Sequence, residues 1–286
     1  IKEGERLLSG SYPQREAREM VYAFLEHHIG TKRHTHIVDP EYKVGADAAS
    51  RSLSAFNRMA SGEPLQYVTG VADFYGRQFH VTPDVLIPRP ETELLCREAL
   101  NVPGSHPVLR ILDLCTGSGC IAWTLALEIP GSKVTAVDIS DGALRVASSQ
   151  DFSHECRRTG ALAPTFIKAD VLAAPPVAFS SGSYDLILSN PPYVMDSEKA
   201  LMRPNVLDHE PHLALFVSDE DPLIFYRAVA AWAGRLLKGG GYVLVEINEA
   251  LGKQTADVFR MAGFGDVSVI KDLSGRDRFV EFIRIF

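Results

Sequence analysis

The hydrophobic rhythm of the chain changes partway along. In the first 60 or so residues, apolar positions recur at helical spacing. Ala17, Met20, Val21, Phe24 and Leu25 predict a helix over 14–28, and Ala49, Leu53, Phe56 and Met59 predict a second over 46–60. So short a stretch buries too little to form a large core, so a small helical module is expected. Residues 66–70 and 74–82 then read as extended runs with a turn between them, a connecting β-hairpin. Pro83, Pro88 and Pro90 follow, and Pro90 suits the first turn of a helix reaching about Leu100. A domain boundary is expected near residue 84.

Beyond Pro107 the rhythm alternates between strand and helix. Residues 108–114 form an apolar run of the kind a strand buried on both faces requires. Helices are expected over 120–128, from Asp141 onward and over 222–237, with strands over 133–139, 165–169, 184–189 and 242–247. This alternation predicts an α/β fold with a doubly wound, mainly parallel sheet over 85–286. The last two strands, 267–272 and 278–285, break the pattern. Only 273–277 separates them, too little for a parallel crossover, so they must pair antiparallel if adjacent.

Composition then narrows the classes. With 286 residues, 46% of them hydrophobic and 23% charged, the chain is of globular type and has room for one large or two unequal domains. No apolar run reaches the length of a membrane-spanning helix. The chain opens on Ile1 rather than Met, so a trimmed start is expected. Residues 1–69 carry nine Lys or Arg and nine Asp or Glu, so the net charge of −7 lies wholly beyond them. That balance lacks the basic footprint of a nonspecific nucleic-acid binder, and no stable nucleic-acid binding is expected. Cys96, Cys115, Cys120 and Cys156 form no CxxC pair, which favours a reducing compartment such as the cytoplasm. His34 with His36, and His209 with His212, lack cysteine partners and read as solvated loop histidines rather than a metal site.

The first chemical signal is Ile-Leu-Asp-Leu-Cys-Thr-Gly-Ser-Gly at 111–119, which ends a strand and opens a helix. Cys115, Thr116, Gly117, Ser118 and Gly119 would let the backbone approach a ligand at a helix N-terminus. Asp138 ends the next strand, where a carboxylate can accept both ribose hydroxyl protons, and Asp170 ends the third, within reach of an adenine amino group. A nucleoside pocket follows. Gly117-x-Gly119-x-x-Ala122 also satisfies the dinucleotide pattern. Asp113, just before the loop, is ill placed for a pyrophosphate, and the antiparallel C-terminal hairpin is foreign to plain dinucleotide folds. Both features favour S-adenosylmethionine.

The second signal is Asn190-Pro191-Pro192-Tyr193 at a strand exit. The prolines lack N–H groups and leave carbonyl oxygens as acceptors, Asn190 adds a carboxamide oxygen, and Tyr193 adds a flat aromatic face. A planar NH2 group is a poor nucleophile. Two acceptors, the Asn190 side chain and the Pro191 carbonyl, would hold both of its protons, while Tyr193 stacks on the conjugated plane. Either an amide or the exocyclic amine of a DNA or RNA base would suit such a grip.

These residues resemble the protein-(glutamine-N5) methyltransferases of peptide-chain release factors, the HemK/PrmC family. The likeness extends over 63–286 and includes Glu-Pro-Leu-Gln-Tyr-Val-Thr-Gly at 63–70, Phe-Tyr-Gly at 74–76 and Leu-Ile-Pro-Arg-Pro-Glu-Thr-Glu at 86–93. It also takes in Glu210-Pro211, Ala214-Leu215, Lys271-Asp272, Gly275 and Arg278. The resemblance implies a class I S-adenosylmethionine-dependent methyltransferase: a Rossmann-like seven-stranded sheet behind a small N-terminal helical domain. It further implies that the acceptor is the glutamine of the Gly-Gly-Gln motif of class 1 release factors, docked in part by residues 1–84. Cys115, Thr116, Gly117, Ser118, Gly119, Asp138, Asp170, Val171 and Asn190 would line the cofactor site, with Asn190, Pro191, Pro192 and Tyr193 gripping the glutamine. A monomer is expected. Cys115 stands where the family usually has glycine, and Val171 where some relatives are aromatic. Arg89, Glu91 and Glu93 read equally as substrate-positioning groups or as the acidic first turn of a helix. Residues 194–221 are too long for a simple connection and are expected to form an irregular, substrate-facing loop.

Overall fold

The computed structural model describes residues 1–39, 41–102 and 109–285, with the side chain of His36 excepted. Pro107 and Val108, from which the alternating pattern was expected to start, lie outside these. The chain condenses into two compact units, Ile1–Val71 with Met202–Glu210, and Ala72–Leu201 with Pro211–Phe286.

In the first unit the helices Gln14–Ile29 and Ala46–Ala60 stand where the apolar spacing predicts them, joined by a shorter helix Lys2–Leu8. Val21, Phe24, Phe56 and Met59 form its small core with Leu8, while Leu53 is 39% exposed and lies off the buried face. Residues 66–70 depart from expectation. Leu65–Thr69 is a single helical turn, entered through Pro64 and closed by Gly70 in the left-handed region. These two end residues override the β-leaning composition of the turn.

The hairpin is real but begins later, as β1 (Val71–Phe74) and β2 (Arg77–His80). Tyr75 and Gly76 both have positive φ, as a two-residue turn between twisted strands requires. Phe74 and Phe79 are buried in a core of the second unit, so the compact division falls before the boundary expected near residue 84.

The remaining strands are β3 (Arg110–Leu114), β4 (Lys133–Asp138), β5 (Thr165–Lys168), β6 (Tyr184–Ser189), β7 (Val194–Met195), β8 (Phe216–Val217), β9 (Leu237–Glu246), β10 (Gly265–Lys271) and β11 (Asp277–Ile283). Seven of them form one sheet in the order β10-β11-β9-β6-β3-β4-β5. β9, β6, β3, β4 and β5 run parallel, and β11 is antiparallel to both of its neighbours, as the short link over 273–277 demands. Every residue of β6 is buried. On one side of the sheet the helix Ile224–Leu236 brings in Tyr226 and Trp232, both wholly buried. On the other, the helix Cys120–Glu128 packs almost its entire surface. Each large apolar side chain so buried stabilises the fold by roughly 1.5–3 kcal/mol.

Residues 194–221 are not one irregular loop. They hold β7 paired with β8, a 3-10 turn Asp196–Leu201 and the short helices Pro204–Leu207 and His212–Leu215. Met202–Glu210 belongs to the helical unit, where Arg203 pairs with Glu16 at 3.3 Å. Among the described residues no helix is long and apolar enough to cross a membrane, and no three His, Cys, Asp or Glu side chains gather to hold a metal ion.

Candidate active site

Sheet order decides where a ligand can sit. The chain builds β3, β4 and β5 outward, then returns to β6 on the other side of β3. The crevice outside the carboxyl ends of β3 and β6 is therefore the switch point at which open α/β sheets bind ligands. Register supplies the detail. Leu114 pairs with Ser189, so Cys115 and Asn190, 75 positions apart, leave the sheet side by side. Ser189 in turn pairs with Val245, which brings Glu246 of β9 to the same level.

A cleft opens there, walled by residues of the larger unit alone. Of the residues expected at the cofactor site, Cys115, Thr116, Gly117, Ser118, Asp138, Asp170, Val171 and Asn190 all line it. Pro192 lines it too, whereas Gly119, Pro191 and Tyr193 are not among its walls. Gly119 works from behind. Its φ is +80°, and a Cβ there would stand 3.0 Å from the Ala147 Cβ, so it lets the helix Cys120–Glu128 start hard against its neighbour. Asp84, Val85 and Phe225 also line the cleft without any signal in the sequence, as do Leu86 and Thr92, which belong to the 86–93 likeness but had no site role there.

The loop after β3 is held by its own N–H groups. Thr116 donates to the Val137 carbonyl at 3.0 Å, Gly117 to Asp138 Oδ2 at 2.9 Å and Gly119 to the Thr116 carbonyl at 2.9 Å. Three N–H groups of the loop, those of Thr116, Gly117 and Gly119, are thus spent within the protein before the helix Cys120–Glu128 begins. A pyrophosphate needs such donors or cations, and Arg89 is the one cationic side chain among the described cleft residues. Carboxylates and an apolar wall of Ile139, Val171 and Leu172 suit instead an adenosine carrying positive charge.

Asp138 accepts from Gly117 N–H through one oxygen and from Ser140 N–H through the other, each at 2.9 Å, and each oxygen keeps a lone pair for a hydroxyl. Burial pushes its carboxyl up, while those backbone bonds pull it back. Cys115 sits at φ +63°, a left-handed conformation that costs a residue with a Cβ about 1–2 kcal/mol. Glycine would suit that position for this reason. Burial pushes the Cys115 thiol well up, so it is a neutral wall rather than a thiolate nucleophile.

Asp113 is wholly buried on β3. Thr116 Oγ1 donates to it at 2.6 Å, yet burial pushes its carboxyl up to about 7, from an ordinary 3.8. A carboxyl raised in the folded state contributes stability that is complete below its unfolded value and lost as pH rises through about 7. Between pH 5 and pH 8 the unliganded wild-type protein should therefore lose more stability than Asp113→Asn. Urea denaturation at both pH values checks this.

The Asn190 turn is anchored through side chains. Asn190 Nδ2 donates to Thr92 Oγ1 at 3.1 Å, and Thr92 Oγ1 donates to Glu246 Oε2 at 2.8 Å. Tyr193 Oη donates to Glu246 Oε1 at 3.0 Å. Burial pushes both the Tyr193 phenol and the Glu246 carboxyl up. Within 86–93, Glu93 accepts the Tyr75 N–H at 2.8 Å and so ties the hairpin turn to the helix Pro90–Leu100. Arg89 lines the cleft.

Known proteins resemble this chain over most of its length. Residues 1–70 match the PrmC N-terminal domain and residues 92–209 the methyltransferase small domain. A release factor glutamine methyltransferase of Flavobacterium psychrophilum is 36% identical over 278 residues, covering 96% of this chain and 94% of that one. The chain belongs to the release factor glutamine methyltransferase family. A second release factor glutamine methyltransferase, from Bacteroides thetaiotaomicron, is 46% identical over 77% of this chain and 76% of its own length. The fold extends beyond the family. A solved methyltransferase from Pyrococcus furiosus superposes with a TM-score of 0.50 at 15% identity, covering 85% of this chain and 100% of that one. The larger unit thus has the class I S-adenosylmethionine-dependent methyltransferase fold.

Proposed function

We propose that this protein transfers a methyl group from S-adenosylmethionine to the side-chain nitrogen N5 of the glutamine in the Gly-Gly-Gln motif of class 1 peptide-chain release factors. Beyond family membership, one observation carries the reading. The Asn190 carboxamide is tied down at a strand exit beside a cleft whose carboxylates and apolar wall suit a cationic adenosine. S-adenosylmethionine, when bound, supplies an electrophilic methyl group on a sulfonium.

The protein does the rest by holding. Asp138 accepts from the ribose hydroxyls while keeping the Gly117 loop in place. Asp170 and Val171 border the adenine. Asn190 Oδ1 and the Pro191 carbonyl accept the two N–H groups of the glutamine amide, which concentrates electron density on nitrogen and aims its lone pair. Pro192 shapes the wall, and the Tyr193 ring, tethered through its hydroxyl, packs on the amide plane. The amide needs no base before attack. After transfer the nitrogen is cationic and acidic, and it releases one proton to water. The helical unit docks the factor, and the protein acts as a cytoplasmic monomer.

Label transfer tests this reading. Tritium from methyl-labelled S-adenosylmethionine should appear in a purified class 1 release factor. Label in DNA or RNA and none in the factor would reject the reading in favour of an exocyclic base amine as acceptor.

A further inference from the structure

The proton count of one buried chain of hydrogen bonds fixes more than position. Thr92 is 3% exposed and Glu246 1% exposed, and together they lie behind Asn190. A threonine hydroxyl has a single proton to give. Thr92 gives it to Glu246 Oε2 at 2.8 Å, so towards Asn190 it can only accept. The atom of Asn190 that faces it at 3.1 Å must therefore be the amino nitrogen. Glu246 has its other oxygen occupied by the Tyr193 hydroxyl, so one carboxylate anchors both ends of the turn.

We propose that Thr92 and Glu246 are positioning residues for methyl transfer, forming a one-way relay that sets which end of the Asn190 carboxamide meets the acceptor. This rests on the reading of Asn190 as a grip on the substrate amide. With Nδ2 committed to Thr92, Oδ1 is left for an incoming N–H. Were the carboxamide turned over, an N–H of Asn190 would face the N–H groups of the substrate, and the grip would become a repulsion. Asn190 alone could adopt either orientation at similar energy, because its two ends have nearly the same shape. The direction comes from Glu246, an acceptor with no proton to offer when ionised. The Thr92 side chain transmits it. The relay also accounts for an acid at the end of β9, an otherwise apolar strand end, and for a threonine lodged between Glu91 and Glu93.

The test is a kinetic comparison of purified full-length variants with a class 1 release factor as methyl acceptor, alongside calorimetric titration of S-adenosylmethionine. Thr92→Val keeps the shape of the side chain and removes the hydroxyl. It should lower kcat about 10- to 100-fold, the effect of losing one charge-assisted hydrogen bond's worth of orientation, with cofactor affinity changed less than about threefold. Thr92→Ser restores the hydroxyl and should recover most of the activity. In an Asn190→Ala background the relay has nothing left to orient, so adding Thr92→Val should change kcat less than about twofold. Wild-type turnover in Thr92→Val would overturn the relay. So would an equal loss in the Asn190→Ala background, which would mark a purely structural role. No transfer by the wild-type protein would instead overturn the functional reading on which the relay rests.

Discussion

Replacing Asn190 with Ala is expected to lower kcat for release-factor methylation by about 10²- to 10³-fold, the usual cost of removing one preorganised polar contact from a reacting group. An amide nitrogen shares its lone pair with the carbonyl, and the barrier includes the cost of withdrawing it from that conjugation. A fixed acceptor on each N–H lowers the barrier because the N–H bonds polarise as the nitrogen becomes positive. The interaction is stronger in the transition state than in the ground state, so its loss falls on kcat. Asn190 is one wall of the cleft among many, and S-adenosylmethionine affinity should change less than about threefold. Steady-state kinetics with calorimetric titration of the cofactor separates the two effects. A variant with wild-type kcat would remove Asn190 from the reaction.

Asp138→Ala is expected to act on the other quantity. Its carboxylate lines the cleft and accepts the Gly117 N–H at 2.9 Å and the Ser140 N–H at 2.9 Å. Truncation removes the acceptors for the ribose hydroxyls and also releases the loop that forms the cleft floor. Hydrogen bonds to a charged group contribute about 1.5–3 kcal/mol each, so the dissociation constant for S-adenosylmethionine should rise about 10- to 100-fold or more. At saturating cofactor much of the turnover should return, because Asp138 does not touch the acceptor amide. An unchanged dissociation constant would mean that the ribose lies elsewhere.

The sequence carried most of the frame. The spacing of Val21, Phe24, Phe56 and Met59 places two helices within a residue or so of their true limits, and the short link over 273–277 dictates the antiparallel pair at the sheet edge. It also marks Cys115, Asp138 and Asn190 at strand ends. What it cannot show is register. Only the pairing of Leu114 with Ser189, and of Ser189 with Val245, makes neighbours of three strand exits far apart in the chain. Glu246 was therefore hidden: it falls inside the strand expected over 242–247 and carries no chemical signal of its own there. Thr92 was hidden by the charged residues on either side, although the phase of the helix Pro90–Leu100 turns it inward and leaves Glu91 outside. Composition misled at 66–70, where Pro64 and Gly70 impose a helical turn on residues that favour strands. The loop after β3 stands at the strand exit the sequence marks, and the N–H groups of Thr116, Gly117 and Gly119 within it serve the protein.

On the proposed function the acceptor is one glutamine amide. Mass mapping of a purified class 1 release factor, after reaction with this protein and S-adenosylmethionine, tests it most directly. A single added methyl group is expected, located by fragmentation on the side-chain nitrogen of the glutamine in Gly-Gly-Gln, and absent when Asn190→Ala replaces the wild-type protein for a single-turnover interval. A methyl group on any other residue of the factor, or an unmodified factor beside methylated nucleic acid, would contradict it.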